Sequence, residues 1–166
     1  MNDTTHTADS TGEATNSFEA FIAPVAEALQ AFDEGEKYAQ LFANTPRRPA
    51  LLFAANWCKS AMSGGGGFRE FFQSAGGVLA PEAVTGFRVI GMPQTAQAVE
   101  AGMQFFGKPY PRDQIRRCAV LDRVEQMTRA GDSLFEDLDG AFYRHLALEA
   151  GGFEAAANRF ADASSG

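Results

Sequence analysis

The sequence contains few of the residues that enzymes and metal proteins commonly use for chemistry. Only two of the 166 residues are cysteine and two are histidine. Cys58 and Cys118 lie far apart, with no CxxC pair and no histidine near either, so neither a disulfide framework nor a zinc site is indicated. Cys58 and His145 could meet across helices as in thiol catalysis, but a small core residue and a hydrogen-bonded histidine are the simpler interpretation. We expect both cysteines to be buried thiols in a reducing compartment, and we expect no cofactor.

Basic residues are also scarce. The chain has 14 basic and 21 acidic residues, which gives a formal net charge of -7. This balance disfavours general affinity for nucleic acids or anionic membranes and favours proteins or neutral ligands as partners. Residues 1–16 are polar and have neither the basic start nor the apolar stretch of an export signal. We expect a disordered tail over residues 1–16 and a cytoplasmic protein.

Alternating runs of β-branched residues are missing, and no internal repeat is present, whereas apolar residues recur at helical spacing. The first such face consists of Phe18, Phe21, Ile22, Val25, Leu29 and Phe32. The sequence therefore predicts an all-α fold, a compact orthogonal bundle of about seven to nine helices. One domain over residues 17–162 is expected from the length.

Prolines and glycines mark the predicted helix boundaries. Prolines suit the first turn of a helix, and glycines often follow the last. The boundary residues are Pro49, Pro81, Pro111, Gly131, Gly151 and Gly152. Within the helices, Asp113 with Arg117 and Glu125 with Arg129 have the spacing of acid-before-base pairs. The single tryptophan, Trp57, is expected in the core.

Four consecutive glycines, at positions 64–67, precede an aromatic run. A phosphate-binding loop would add a lysine and a hydroxyl directly after the glycines and would follow a strand. Here Phe68 follows, and the preceding segment is predicted to be helical. The glycines are therefore interpreted as a tight turn between two helices.

Charge is distributed unevenly along the chain, which is acidic at both ends and basic in the middle. Asp132, Glu136 and Asp139 follow one another at i, i+4 and i+7, so neighbouring carboxylates are about 5–6 Å apart on a helix. This spacing is comparable in scale to that of phosphates along a DNA strand. A solvated or capping role is the alternative, because Ser133 and Glu136 have capping-box spacing and acids complement the start of a helix.

Three segments together resemble the bacterial DNA-mimic protein family over residues 52–146. They read GGFREFFQSAGG, FRVIGMPQTAQAVEAGMQFFG and FEDLDGAFYRHL. The residues that match the most specific stretch of the family are Gly66, Gly67, Phe68, Phe72 and Gly77. At three further positions the family usually has asparagine, glutamine and tyrosine, and here these are Gly65, Glu70 and Phe71. The glycine and apolar frame is retained while the polar groups differ, so we interpret the matching residues as a structural motif.

The resemblance implies an all-helical, non-catalytic protein that forms a homodimer. It further implies binding to a DNA-binding transcription regulator through a surface that imitates the phosphates of a duplex. We assign Asp132, Glu136 and Asp137 to this partner-binding surface. The basic residues Arg112 and Arg116, together with Arg117, would weaken a negative face unless they are paired or turned away.

An enzyme or small-ligand-binding protein is the alternative. Its pocket would lie beside the polar line Asn56, Lys59 and Ser60 of a buried helix and beside the glycine turn from Gly64 to Gly67. Such a site should contain convergent polar groups or a group of perturbed pKa.

Overall fold

The described part of the chain consists of α-helices joined by short turns. A computed structural model describes residues 17–30, 42 and 45–165. In chain order the α-helices are α1 (Ser17–Leu29), α2 (Arg47–Ser63), α3 (Gly67–Gln73), α4 (Ala80–Val89), α5 (Pro93–Met103), α6 (Gln114–Met127), α7 (Glu136–Leu148) and α8 (Phe153–Ser164). Short 3₁₀ helices follow α3, α5 and α7 at Ala75–Leu79, Gln104–Phe106 and Glu149–Gly151. These residues include no strand, which confirms the predicted all-α bundle of seven to nine helices.

The predicted tail of residues 1–16 lies outside the described residues, and so does Phe32 of the first predicted helical face. The division into this tail and one domain over residues 17–162 therefore stays a prediction. Among the helices that the structure describes, none has the length and apolar character needed to cross a bilayer.

Prolines begin several helices, as the sequence predicts. Pro49 lies in the first turn of α2, and Pro81 and Pro93 lie at the starts of α4 and α5. A proline there loses no hydrogen bond, because the first amide groups of a helix have no partner within it. α6 ends at Met127, before Gly131, so the predicted helix was too long at this end.

A shared core of aromatic and aliphatic side chains holds the helices together. Phe68 of α3 is fully buried, and its ring centroid lies 5.6 Å from that of Phe72 and 5.3 Å from that of Phe142 on α7. Burying one phenylalanine side chain contributes roughly 1.5–3 kcal/mol, so these rings fasten the short helix α3 to its neighbours. The prediction that Trp57 is a core residue is wrong, since it is 40% exposed and its indole covers Gly76.

Two side chains from the C-terminal part of the chain cap the starts of α1 and α5. Asn158 Oδ1 accepts a hydrogen bond from the backbone N–H of Phe18 at 3.0 Å. Glu149 accepts from the backbone N–H groups of Gln94 and Thr95, at 2.7 and 2.8 Å. Both caps satisfy amide groups that have no partner within the helix. The Glu149 carboxylate also places negative charge at the positive end of α5. These contacts fix α1 and α5 against the C-terminal helices.

Arg117 is the largest side chain that is fully buried, although the sequence predicts a surface pair with Asp113. Its Nε and Nη2 donate to the carbonyl oxygens of Phe72 and Ser74, both at 2.9 Å. Its Nη1 donates to those of Pro111 and Arg112, at 3.1 and 2.7 Å. Burial lowers the pKa of the guanidinium below its usual value. Asp113 instead caps α6 by accepting from the N–H of Ile115 at 2.8 Å, so the predicted pair is wrong.

Candidate partner-binding site

The three acidic residues assigned to partner binding lie together around the start of α7. Asp132 belongs to the loop between α6 and α7, and Glu136 and Asp137 are the first two residues of α7. All three side chains are exposed. Within the described ranges, 17–30, 42 and 45–165, none of them forms an ion pair or a side-chain hydrogen bond. We refer to these three residues as the acidic segment.

The capping box predicted from Ser133 and Glu136 is not formed. α7 begins after Phe135 without a side-chain hydrogen bond at its cap. The N–H of Glu136 points to the backbone oxygen of Ser133, at 3.5 Å, and the Glu136 carboxylate faces solvent. Acids in the first turn still stabilise the helix through its dipole. Glu136 is therefore available for an external contact as well.

Asp139, in the first turn of α7, points inward and connects the acidic segment to the glycine motif. The glycine motif is the set of family-matching residues Gly66, Gly67, Phe68, Phe72 and Gly77. Its Oδ1 accepts a hydrogen bond from the backbone N–H of Phe68 at 2.8 Å, at the start of α3. Burial raises the pKa of the Asp139 carboxyl, and the hydrogen bond from Phe68 partly offsets this effect. A β-carbon at Gly67 would collide with the Asp139 carboxylate, and the φ angle of Gly67 is +60°. Both the space and the backbone angle therefore require glycine at this position.

A cavity of about 350 Å³ lies between the acidic segment and the glycine motif. Its walls include Asp132 and Asp139 on one side and Gly66 and Arg69 on the other. Polar and charged groups dominate the opening, which makes it accessible to water and to the charged side chains of a partner. The sequence indicated a possible pocket beside the glycine turn but not its other wall, because the residues that line it come from separate parts of the chain.

Two arginines reduce the negative charge around this cavity to different degrees. Arg69 forms an ion pair with Glu125, and its Nη2 donates to Glu125 Oε2 at 3.1 Å. This hydrogen bond lowers the pKa of Glu125. The predicted pair of Glu125 with Arg129 is thus wrong. Arg129 lines the cavity, is exposed, and has no ion pair among the residues that the structure covers. It leaves one positive charge at the edge of the acidic segment.

The basic middle of the chain is only partly neutralised. Arg112 Nη1 donates to Glu82 Oε2 at 2.7 Å and to the carbonyl oxygen of Val78 at 2.6 Å. Arg117 is turned into the interior. Arg116 is exposed and has no ion pair in the described part of the chain. Two of the three neighbouring arginines are therefore paired or turned away, and Arg116 keeps its exposed positive charge.

The remaining residues of the glycine motif lie at close approaches of the backbone. Phe68 and Phe72 are fully buried. A β-carbon at Gly77 would lie 2.8 Å from the carbonyl oxygen of Phe71, which is too close for any other residue without a backbone shift. A β-carbon at Gly66 would meet the side chain of Glu70. These positions give the motif a structural role in turning the chain into and out of α3.

Lys59 and the glycine turn, which the alternative hypothesis places beside one pocket, line separate cavities. Lys59 lines a shallow cavity of about 330 Å³ next to Tyr143 and Phe153. None of the turn glycines, Gly64 to Gly67, lines this cavity. Its ammonium lies 5.1 Å from the centroid of the Phe153 ring, in a cation–π contact. The cavity beside the glycine turn is not lined by Asn56 or Lys59.

The described residues are poorly suited to catalysis by the Cys58 thiol and to metal binding. Cys58 is fully buried, and burial raises the pKa of its thiol. A buried thiol with a raised pKa is a poor nucleophile, because the thiolate is the reactive form. Within residues 17–30, 42 and 45–165, no cluster of three or more histidine, cysteine, aspartate or glutamate residues could hold a metal ion.

The all-helical fold agrees with what the family resemblance implies. The sequence model described as DMP19-like protein matches residues 43–163, and the chain belongs to this family. The match confirms the resemblance and extends it beyond residues 52–146 on both sides. Comparisons with curated proteins and with solved structures gave no match.

Proposed function

We propose that this protein is a non-catalytic binding protein that contacts a DNA-binding transcription regulator through the acidic segment. The observation that carries the proposal is that Asp132, Glu136 and Asp137 are all exposed around the start of α7 and have no ion-pair partner among the described residues. Their charges are therefore free to pair with the basic side chains that a DNA-binding protein uses for phosphates. Membership of the DMP19-like family supports the same assignment.

Electrostatic attraction would act mainly on the rate of encounter and on partner choice. Complementary charges steer two proteins together, and the effect weakens as salt screens the charges. Arg129 opposes this attraction from the edge of the acidic segment. Binding to a basic partner should therefore fall with increasing ionic strength, and removal of the Arg129 charge should strengthen it.

The proposal includes a homodimer that acts in the cytoplasm. The family resemblance supports the dimer. The two cysteines, Cys58 and Cys118, are both free thiols, which agrees with a reducing compartment. The molar mass in solution, measured by light scattering on the full chain, tests the dimer independently of partner binding.

Affinity capture from the native cytoplasm at low and high salt tests the proposal. Wild type is compared with the double variant Glu136→Gln/Asp137→Asn and with a control, Glu154→Gln/Asp162→Asn. The control removes the same charge from exposed positions on α8. We expect wild type and control to capture a basic DNA-binding protein at low salt, and the double variant to lose about 90% or more of it, a tenfold change. Capture that is insensitive both to salt and to the double substitution would contradict the proposal.

A further inference from the structure

A different cavity, of about 400 Å³, lies between the α5–α6 connection and the first turns of α6. It shares no lining residue with the cavity beside the acidic segment. Its charged lining residues are Lys108, Arg112 and Arg116, and no acidic side chain among the described residues lines it. The other walls are aromatic, proline, glycine and valine residues. This is a wholly basic cavity in a chain whose formal net charge is -7.

The basic groups of this cavity keep unused hydrogen-bond donors. Lys108 and Arg116 are exposed and form no ion pair or hydrogen bond with any residue that the structure describes. Arg112 uses only Nη1 for its contacts with Glu82 and Val78, so its Nε and Nη2 remain without a partner there. Like charges that line one cavity repel one another, and a bound anion would reverse the sign of that interaction.

The walls of the cavity are held in place by hydrogen bonds to neighbouring elements. The hydroxyl of Tyr110 donates to the carbonyl oxygen of Gly77 at 2.7 Å. The buried Arg117 holds the carbonyl oxygens of Pro111 and Arg112. The rings of Phe106 and Tyr110 pack edge to face, with centroids 5.5 Å apart. A preformed cavity of this kind loses little entropy when it binds a ligand.

We propose that this cavity binds a small organic anion, that is, a phosphate or carboxylate group attached to an aromatic or apolar body. Its volume lies within the range of about 300–1,000 Å³ that is typical of small-molecule sites. Guanidinium groups such as that of Arg116 bind phosphate and carboxylate through paired hydrogen bonds. The Phe106 and Tyr110 rings and the neighbouring prolines supply an apolar surface for the ligand body.

Isothermal titration calorimetry on the full chain at low salt tests the proposal with two matched pairs of probes. The first pair is 5′-AMP and adenosine, and the second is N-acetylphenylalanine and its amide. We expect one or both anions to bind at a single site, and each neutral analogue to bind about tenfold more weakly or less, because it lacks the charge-assisted hydrogen bonds. Binding of AMP alone identifies a phosphate site, and binding of N-acetylphenylalanine alone identifies a carboxylate site. Either result supports the proposal.

Arg116→Gln and Arg123→Gln provide the matched variants. Both arginines are exposed on α6, and only Arg116 lines the cavity. Arg116→Gln should weaken anion binding about tenfold or more, whereas Arg123→Gln should change it by about twofold or less. Lys108→Gln tests a second wall of the same cavity and should also weaken binding.

Three results would overturn the proposal. The first is that neither anion binds. The second is that Arg123→Gln weakens binding as much as Arg116→Gln, which would show diffuse attraction to the basic surface. The third is that only a hexaglutamate peptide binds, which would make the cavity part of a protein-docking surface. None of these results depends on the acidic segment, so the test is independent of the proposed function.

Discussion

The hydrogen bond between Asp139 and Phe68 leads to a sharp prediction about stability. Asp139→Ala removes the acceptor of the Phe68 N–H at the start of α3. Loss of a side-chain cap costs about 0.5–2 kcal/mol. Water can enter the cavity that Asp139 lines and replace part of this bond, which keeps the cost within that range. We expect the free energy of unfolding to fall by about 1–2 kcal/mol, and the melting temperature by about 3–6 °C.

Asp139→Asn should have a much smaller effect, because the amide oxygen can still accept from Phe68. Burial raises the pKa of Asp139, which means that the folded state favours the neutral form of this side chain more than the unfolded state does. The neutral amide avoids the cost of burying a charge. We expect the stability of this variant to lie within about 0.5 kcal/mol of wild type at neutral pH, or slightly above it.

The raised pKa also predicts the direction of the pH dependence. Between the unfolded pKa of about 3.9 and the higher folded value, the folded protein binds more protons at Asp139 than the unfolded chain does. The wild-type protein should therefore gain stability relative to Asp139→Asn as pH falls through this window and lose that gain as pH rises.

Urea unfolding followed by circular dichroism measures these differences for wild type, both Asp139 variants and a control. Asp122→Ala is the control, because Asp122 is exposed within α6, away from the first turn of the helix, and should change stability by less than about 0.5 kcal/mol. The reasoning is refuted if Asp139→Asn destabilises the protein as much as Asp139→Ala does. That result would show that the negative charge, and not the acceptor, holds α3.

Three further contacts are tested by thermal or urea unfolding. Gly67→Ala should destabilise the protein by more than Gly65→Ala does. Both glycines have positive φ angles, and an alanine at either position costs about 1–2 kcal/mol for that reason. Only the β-carbon at position 67 also collides with a carboxylate. Equal losses would contradict the steric argument. Arg117→Met should cost about 3 kcal/mol or more, because it leaves buried carbonyl oxygens without donors; a loss below about 1 kcal/mol would show that water or a backbone shift replaces the guanidinium. Glu149→Ala should cost about 1–2 kcal/mol through the lost cap of α5, and Glu149→Gln should cost less.

The sequence predicted the helices well, because their boundaries depend on local chemistry. Pro49 and Pro81 mark first turns, and Gly152, with a φ angle of +93°, separates the last two helices. Apolar spacing also identified the buried face of α1, which includes Phe18, Ile22, Val25 and Leu29. These features depend on neighbours along the chain, which a single sequence shows directly.

Charged contacts were predicted poorly, because their partners are distant in sequence. Arg117 has the correct spacing for a surface pair with Asp113, but it reaches carbonyl oxygens near the end of α3 and is buried. Glu125 pairs with Arg69 on another helix and not with Arg129 one turn away. Local spacing cannot indicate which of several possible partners the tertiary fold brings closer.

The hydrogen bond that Asp139 accepts from the N–H of Phe68 affects how loss-of-binding mutants of this protein should be interpreted. The helix that presents Glu136 and Asp137 is attached to the turn at Gly67 through this carboxylate, in addition to the packing of Phe142 on Phe68. A genetic screen for loss of partner binding would therefore recover substitutions at Gly67 together with substitutions of the contact residues themselves. Melting curves separate the two classes, since a true contact variant keeps the wild-type melting temperature and a variant of the turn does not.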